Sequence, residues 1–240
     1  MTSRGWSVTT WPMPLPDPSS PLAGLTPRVA LEHVTSHYDE GGRRLTALED
    51  LTLSVMPAEF VSIVGPSGSG KSTLLDLVAG LLTPDAGRIL MHGHPVTAAE
   101  RLGQAAYMRQ RDLLVPWRTA LGNAALGLEA RGVSRRAAEA AAFEQLPRYG
   151  LEGFASAYPN QLSGGMRQRC AVLRTLLPQL DLVLLDEPLG ALDSLTRAEL
   201  QLWLAEALIL QQCTVLFITH DVEEAIMLGD RIIVLSPRPG

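Results

Sequence analysis

No apolar run in this 240-residue sequence approaches the ~18 residues a helix needs to cross a bilayer, so the chain itself is not expected to span a membrane. Cysteine is scarce. Cys170 and Cys213 have no metal-ligand spacing and lie in apolar segments, where a free thiol acts as a small hydrophobe rather than a redox centre. Excess positive charge is also missing: a formal net charge of −5 offers no general electrostatic grip on nucleic acid. Nor do the first residues contain the apolar core of a signal peptide. Residues 1–27 carry prolines at 12, 14, 16, 18, 21 and 27, which reads as a disordered or extended leader. The whole sequence, 46% hydrophobic and 19% charged, describes an ordinary globular protein with room for one sizeable core or two joined lobes.

The most informative stretch is EFVSIVGPSGSGKSTLLDLVAGLL, from Glu59 to Leu82. It holds G-x-x-x-x-G-K-[ST] as Gly65, Gly70, Lys71 and Ser72. Phe60 to Val64 enters as a buried strand, and apolar residues at Leu74, Leu75, Val78 and Leu81 leave as a helix. Such a pattern also arises by accident in glycine-rich turns, and the correct strand and helix flanks are what make it specific. Glycines let consecutive backbone N–H groups turn toward one point, which the positive end of the helix dipole also faces. A polyphosphate fits there, with Lys71 reaching the β and γ phosphates and the Ser72 hydroxyl ligating Mg²⁺.

Around this centre the pattern is strand-like from Arg28 to about Ser62, with a turn at Asp39 to Gly42, and again over residues 88–96, which suggests antiparallel strands beside the core. Tyr38, at the end of one strand, is placed either to stack on a purine or simply as a strand residue. His92 and His94 form an H-x-H pair without further ligands nearby, so a solvated hairpin tip is the better reading. Leu102 to Arg111 has a strand-like middle that ends in Arg109, Gln110 and Arg111. Beyond it the spacing predicts helices capped by Thr119 and Ser134, the second stopped by Pro147: an Ala-rich helical lobe at about 112–175, with Gln110 at the hinge.

Leu162-Ser163-Gly164-Gly165-Met166-Arg167-Gln168 precedes another apolar helix and forms a second anion-sized nest of N–H groups at a helix start. Leu182 to Leu185 reads as a buried strand ending in Asp186-Glu187. A carboxylate at that position can hold Mg²⁺ through water, and its neighbour can polarise an attacking water. Thr214 to Thr219 is a further apolar strand. It ends at His220, on the ligand-binding edge expected of an open α/β sheet, with Asp221 capping the next helix.

Together these pieces resemble the ATP-binding subunits of ABC transporters over about residues 28–240. The resemblance implies an α/β fold of the P-loop NTPase type, with a RecA-like core sheet, an antiparallel β subdomain and a helical subdomain. It identifies Gly65, Pro66, Ser67, Gly68, Ser69, Gly70, Lys71, Ser72 and Thr73 as the Walker A loop and Gln110 as the Q-loop glutamine. Ser163, Gly164, Gly165 and Gln168 fall in the LSGGxxQ signature, which is far more specific than a P-loop alone. Asp186 then ends Walker B, Glu187 is the general base, Asp193 belongs to the D-loop, His220 is the switch histidine and Tyr38 stacks on adenine. The implied catalytic set is Glu187, His220, Gln110 and Lys71, with Mg²⁺ at Ser72, Gln110 and Asp186.

In this family two ATPs lie between two head-to-tail subunits, each touching the P-loop of one and the signature of the other. With one P-loop and no internal repeat here, a second ATP-binding subunit, identical or homologous, is implied. So are an integral membrane permease, an extracytoplasmic solute-binding protein acting through it, and a peripheral location on the cytoplasmic face of the cell membrane. LLVPW, DEPLGALDSLTR and HDVEEAIMLGDRIIVLSPRPG are similar to importers of the nitrate, sulfonate and taurine type. An exporter or lipid-handling ATPase shares the chemistry and differs only in partner. A soluble DNA-repair type would need a long coiled coil between Walker A and the signature, where this sequence has a compact lobe. Three departures stand out. Ala58 replaces a usual glycine, Arg109 replaces the usual phenylalanine before Gln110, and the sequence ends at Gly240 where relatives continue, as expected of a truncated or short member.

Overall fold

A computed structural model describes residues 9–11, 26–190, 194–209 and 211–236. In chain order the first elements are strands β1 (Thr9–Trp11), β2 (Val29–Glu40), β3 (Arg43–Val55) and β4 (Phe60–Val64), then helix α1 (Lys71–Val78). Strands β5 (Ala86–Met91) and β6 (His94–Pro95), helix α2 (Ala98–Arg101) and strand β7 (Ala106–Met108) follow. Helices α3 (Ala120–Glu129), α4 (Arg135–Gln145) and α5 (Gly164–Leu176) come next. The chain then alternates through β8 (Leu182–Asp186), α6 (Ser194–Ile209), β9 (Thr214–Ile218), α7 (Val222–Leu228) and β10 (Arg231–Val234).

Among the described residues six strands form one sheet in the order β1-β10-β4-β9-β8-β7, parallel except for β1, and four form an antiparallel sheet in the order β3-β2-β5-β6. This is the α/β P-loop fold. The parallel strands β4, β8 and β9 have near-continuous apolar sequences because both of their faces are covered. Their side chains alternate between two cores. Val183, Leu185, Val215 and Phe217 pack with α3, α4 and α5 on one side. Leu182, Leu184, Leu216, Ile218 and Ile63 pack with α1 and the antiparallel sheet on the other.

Helices α3, α4 and α7 start where small polar side chains satisfy their free N–H groups. Thr119 accepts from Gly122 N at α3, Ser134 from Ala137 N at α4, and Asp221 from Glu223 N and Glu224 N at α7. Alanines let α3 and α4 approach closely, with Ala120, Ala124, Ala125, Ala138 and Ala142 fully buried. Of the Pro-rich leader, residues 9–11, 26 and 27 are described. Thr9, Thr10 and Trp11 precede its first proline and pair as β1 with Ile232, Ile233 and Val234 of β10.

Ala58 explains its own oddity. It sits in the turn between β3 and β4 at φ +59°, a left-handed conformation that costs an L-residue about 1–2 kcal/mol relative to the right-handed form. Its N–H is held by Thr214 Oγ1 at 3.0 Å, which fixes the turn regardless. Ala58→Gly is therefore expected to raise stability by about 0.5–1 kcal/mol after allowing for the greater unfolded-state entropy of glycine. Denaturant midpoints at equal slope check this, and an unchanged or lower midpoint would contradict it.

Candidate active site

Strand register builds the site. Ile63 pairs with Ile218 across β4 and β9, and Ile218 with Asp186 across β9 and β8, so the three strands end in one row. The residues that follow, the Gly65 loop, Glu187 and the Thr219-His220 pair, therefore emerge together at the carboxyl edge of the sheet.

Gly70 caps α1 in a left-handed conformation at φ +89°, and a Cβ on it would lie 2.4 Å from the Ala47 carbonyl oxygen. The glycine is needed as much for contact with β3 as for the loop itself. That contact seats the β2–β3 hairpin, with Tyr38 opposite Leu45 and 38% exposed, against the loop. At Gly65 a Cβ would meet the Leu235 carbonyl oxygen at 2.6 Å, so β10 closes on the other side. No side chain caps α1 and no acidic residue lies in its first turn, which leaves its positive end facing the loop. Lys71, the only lysine in the chain, is 7% exposed and donates to the carbonyl oxygens of Gly65 at 2.8 Å and Pro66 at 2.9 Å. Ser69 is buried, and its hydroxyl has no hydrogen-bond partner among the described residues.

Burial pushes the Asp186 carboxyl pKa up; the Ser72 hydroxyl beside it and Lys71 oppose the rise, and the nearby charges of Glu187 and Asp76 add to it. Such crowding of negative charge favours a cation. Glu187 is held at φ +46°, a strained backbone of the kind that concentrates at reactive positions. Its Oε2 accepts from Gln110 Nε2 at 2.9 Å and lies 3.6 Å from His220 Nδ1. The amide carbonyl of Gln110 is left available to a cation.

The second nest behaves differently. Ser163 caps α5, its Oγ accepting from Met166 N at 3.2 Å, and Gly164 and Gly165 form the first turn with no acidic residue there. Gln168 is buried on the same helix. Among the described residues no hydrogen bond or ion pair joins this nest to the phosphate loop. Asp193 lies outside the described residues. His92 is exposed at φ +50° beside the exposed His94, and no group of three or more His, Cys, Asp or Glu suited to a metal occurs among the described residues.

Two supports had no signal in the sequence. Asn123, fully buried on α3, donates to the carbonyls of Val115, Arg118 and Thr119 and accepts from Val115 N, pinning the LLVPW connection. Asp112, just after Gln110, accepts from Arg167 with its side chain and from Arg174 with its carbonyl. Both look like ordinary surface polar residues until the partners are known.

A phosphate-sized loop at a helix start, an Asp-Glu pair ending the neighbouring strand but one, and a parallel sheet that aligns them define a P-loop nucleoside triphosphatase. The family described as ABC transporter matches residues 48–190. The taurine import ATP-binding protein TauB of Rhizobium johnstonii is 45% identical over 200 residues, covering 83% of this chain and 75% of that one. The formylaminopyrimidine import ATP-binding protein ThiZ of Halalkalibacterium halodurans is 43% identical over 192 residues, covering 80% and 74%. A solved dimeric structure of the ATP-binding cassette MJ0796, in a post-hydrolysis state bound to ADP and Pi, superposes with a TM-score of 0.77 at 34% identity, covering 88% of this chain and 97% of that one. The chain belongs to the ABC transporter family and is an ABC-type ATPase.

Proposed function

We propose that this chain is the ATP-hydrolysing subunit of an importer for a small solute of the nitrate, sulfonate or taurine type, working as a dimer on the cytoplasmic face of the membrane. The observation that carries the reading is the common sheet edge at which Lys71, Ser72, Asp186, Glu187, Gln110 and His220 meet, while the Ser163 nest stands apart. A site with its phosphate loop in one place and an equally good anion nest elsewhere is completed by a second copy. The relatives named for taurine and formylaminopyrimidine import support the importer reading.

Residues Gly65 to Thr73 would hold the phosphates of ATP and Tyr38 its base. Ser163 and Gly165 of the other subunit would complete the γ-phosphate site, with Gln168 and Asp193 beside it. Ser72, Asp186 and Gln110 fit Mg²⁺: one carboxylate, a hydroxyl and an amide oxygen, with phosphates supplying the remaining ligands. When bound, the ion neutralises the charge that develops on the transferring phosphoryl group. Glu187 takes a proton from the attacking water, and His220, within 3.6 Å of it, holds that carboxylate and the γ-phosphate in register.

A cleft of about 350 Å³ between β7, α3 and α5, lined by Tyr107, Leu126, Ala130, Arg131, Arg174 and Leu180, supports a docking place for the permease. No phosphate-loop residue lines it, so a partner there leaves the nucleotide site free. No helix of the described residues is long and apolar enough to cross a membrane, so the path for solute must come from that partner. Tagging the chain in its native host, solubilising membranes gently and identifying co-purifying proteins by mass spectrometry tests this. A multi-span permease with a solute-binding protein is expected. Soluble partners only, or an exporter-type membrane protein, would overturn the importer reading and leave the ATPase standing.

A further inference from the structure

The segment that presents Gln110 is short of backbone support. Strand β7 ends at Met108, and residues 109–111 make no backbone hydrogen bond in a turn, loop or ladder among the described residues. Their far end is anchored, since Asp112 is gripped by Arg167 and Arg174 of α5. Their near end is anchored by a side chain. Arg109 Nη2 meets Asp76 Oδ1 at 2.6 Å, and its guanidinium lies 5.2 Å from the centre of the Tyr107 ring. A cation held between a carboxylate and a ring has few rotamers left.

Asp76 is not an arbitrary surface carboxylate. It lies on α1 one turn beyond Ser72, on the same helix face, and only 19% of its side chain is exposed. Arg109 therefore ties the Gln110 segment to the helix whose first turn carries Lys71 and Ser72.

We propose that Arg109 is a positioning residue for Gln110: its ion pair with Asp76 fixes, relative to the phosphate-loop helix, the segment whose amide meets Glu187. The inference rests on the role given to Gln110 above. Because the Arg109 side chain is 47% exposed, the pair contributes little to folding, and its effect is expected in the rate instead.

The test is steady-state ATP hydrolysis by the full chain with Mg²⁺, together with ATP affinity, for Arg109→Gln, Arg109→Lys and Gln110→Ala. Arg109→Gln is expected to lower kcat about three- to fivefold, the scale of one exposed ion pair, with ATP affinity unchanged. Arg109→Lys, which keeps the charge, is expected to recover most of the loss. A normal kcat in Arg109→Gln beside an impaired Gln110→Ala overturns the tether and leaves Gln110 its role. Equal impairment of the Gln and Lys variants also overturns it, because charge pairing would then not matter. A normal kcat in Gln110→Ala removes the role on which the tether depends.

Discussion

Glu187→Gln is expected to bind ATP with the affinity of the parent chain and to lose hydrolysis by about 10²–10⁴-fold, the usual contribution of a general base. The geometry separates the two effects. Glu187 takes no part in the phosphate loop; its Oε2 faces Gln110 and His220, and its backbone N–H is bonded to the Ile218 carbonyl oxygen at 2.9 Å. Glutamine keeps the size and the strained φ of +46° but cannot accept a proton from water at neutral pH. ATP affinity by titration and turnover by phosphate release check both halves. Near-normal turnover would remove Glu187 from the chemistry, and lost affinity would mean that the substitution had disturbed the loop.

Arg101→Met is expected to destabilise the fold by about 3–5 kcal/mol, because three carbonyl groups, one buried and two partly buried, lose a hydrogen bond from a charged donor. Arg101 is 1% exposed and donates to the carbonyl oxygens of Leu77 at 2.9 Å, Val96 at 2.7 Å and Leu82 at 3.2 Å. It thereby closes the end of α1, joins it to the strand β6 connection, and holds the chain that leaves the helix at Gly80. Burial lowers its pKa, but an arginine stays charged in any accessible range. Methionine preserves much of the apolar stem and none of the donors. Against a typical total of about 5–15 kcal/mol, such a loss is a large share of the stability. Denaturation midpoints measure it, and a change within about 0.5 kcal/mol, the range of an ordinary surface substitution, would contradict the account. Below its own transition the variant is expected to bind ATP normally, since α1 begins 30 residues earlier in the chain at the other end of that helix.

Much of this was legible in the sequence because it is local. A strand, a glycine loop and a helix follow one another within one stretch, so Gly65 to Thr73 announces a phosphate site before any tertiary structure is known. The same holds for the cap at Ser163 and for the strand that ends in Asp186-Glu187. Relations between distant segments were not legible. Arg109 stood out as a departure, yet its partner Asp76 gave no sign, since nothing in the helix pattern distinguishes a carboxylate that faces the site from one that faces water. Arg101 carries no signal in the sequence because its three acceptors are backbone atoms, which no sequence displays. Ala58 was visible as an anomaly, and its cause, a left-handed turn held by Thr214 from β9, was not.

ATP is expected to join two copies of this chain, the phosphate loop of one facing the Ser163 nest of the other. Light scattering of Glu187→Gln after gel filtration, with and without Mg²⁺ and ATP, measures it directly. The expected result is the mass of one chain without nucleotide and of two with it, and a return to one chain when Ser163→Arg is added to the variant. A mass that ATP does not change, or a dimer indifferent to Ser163→Arg, would contradict it.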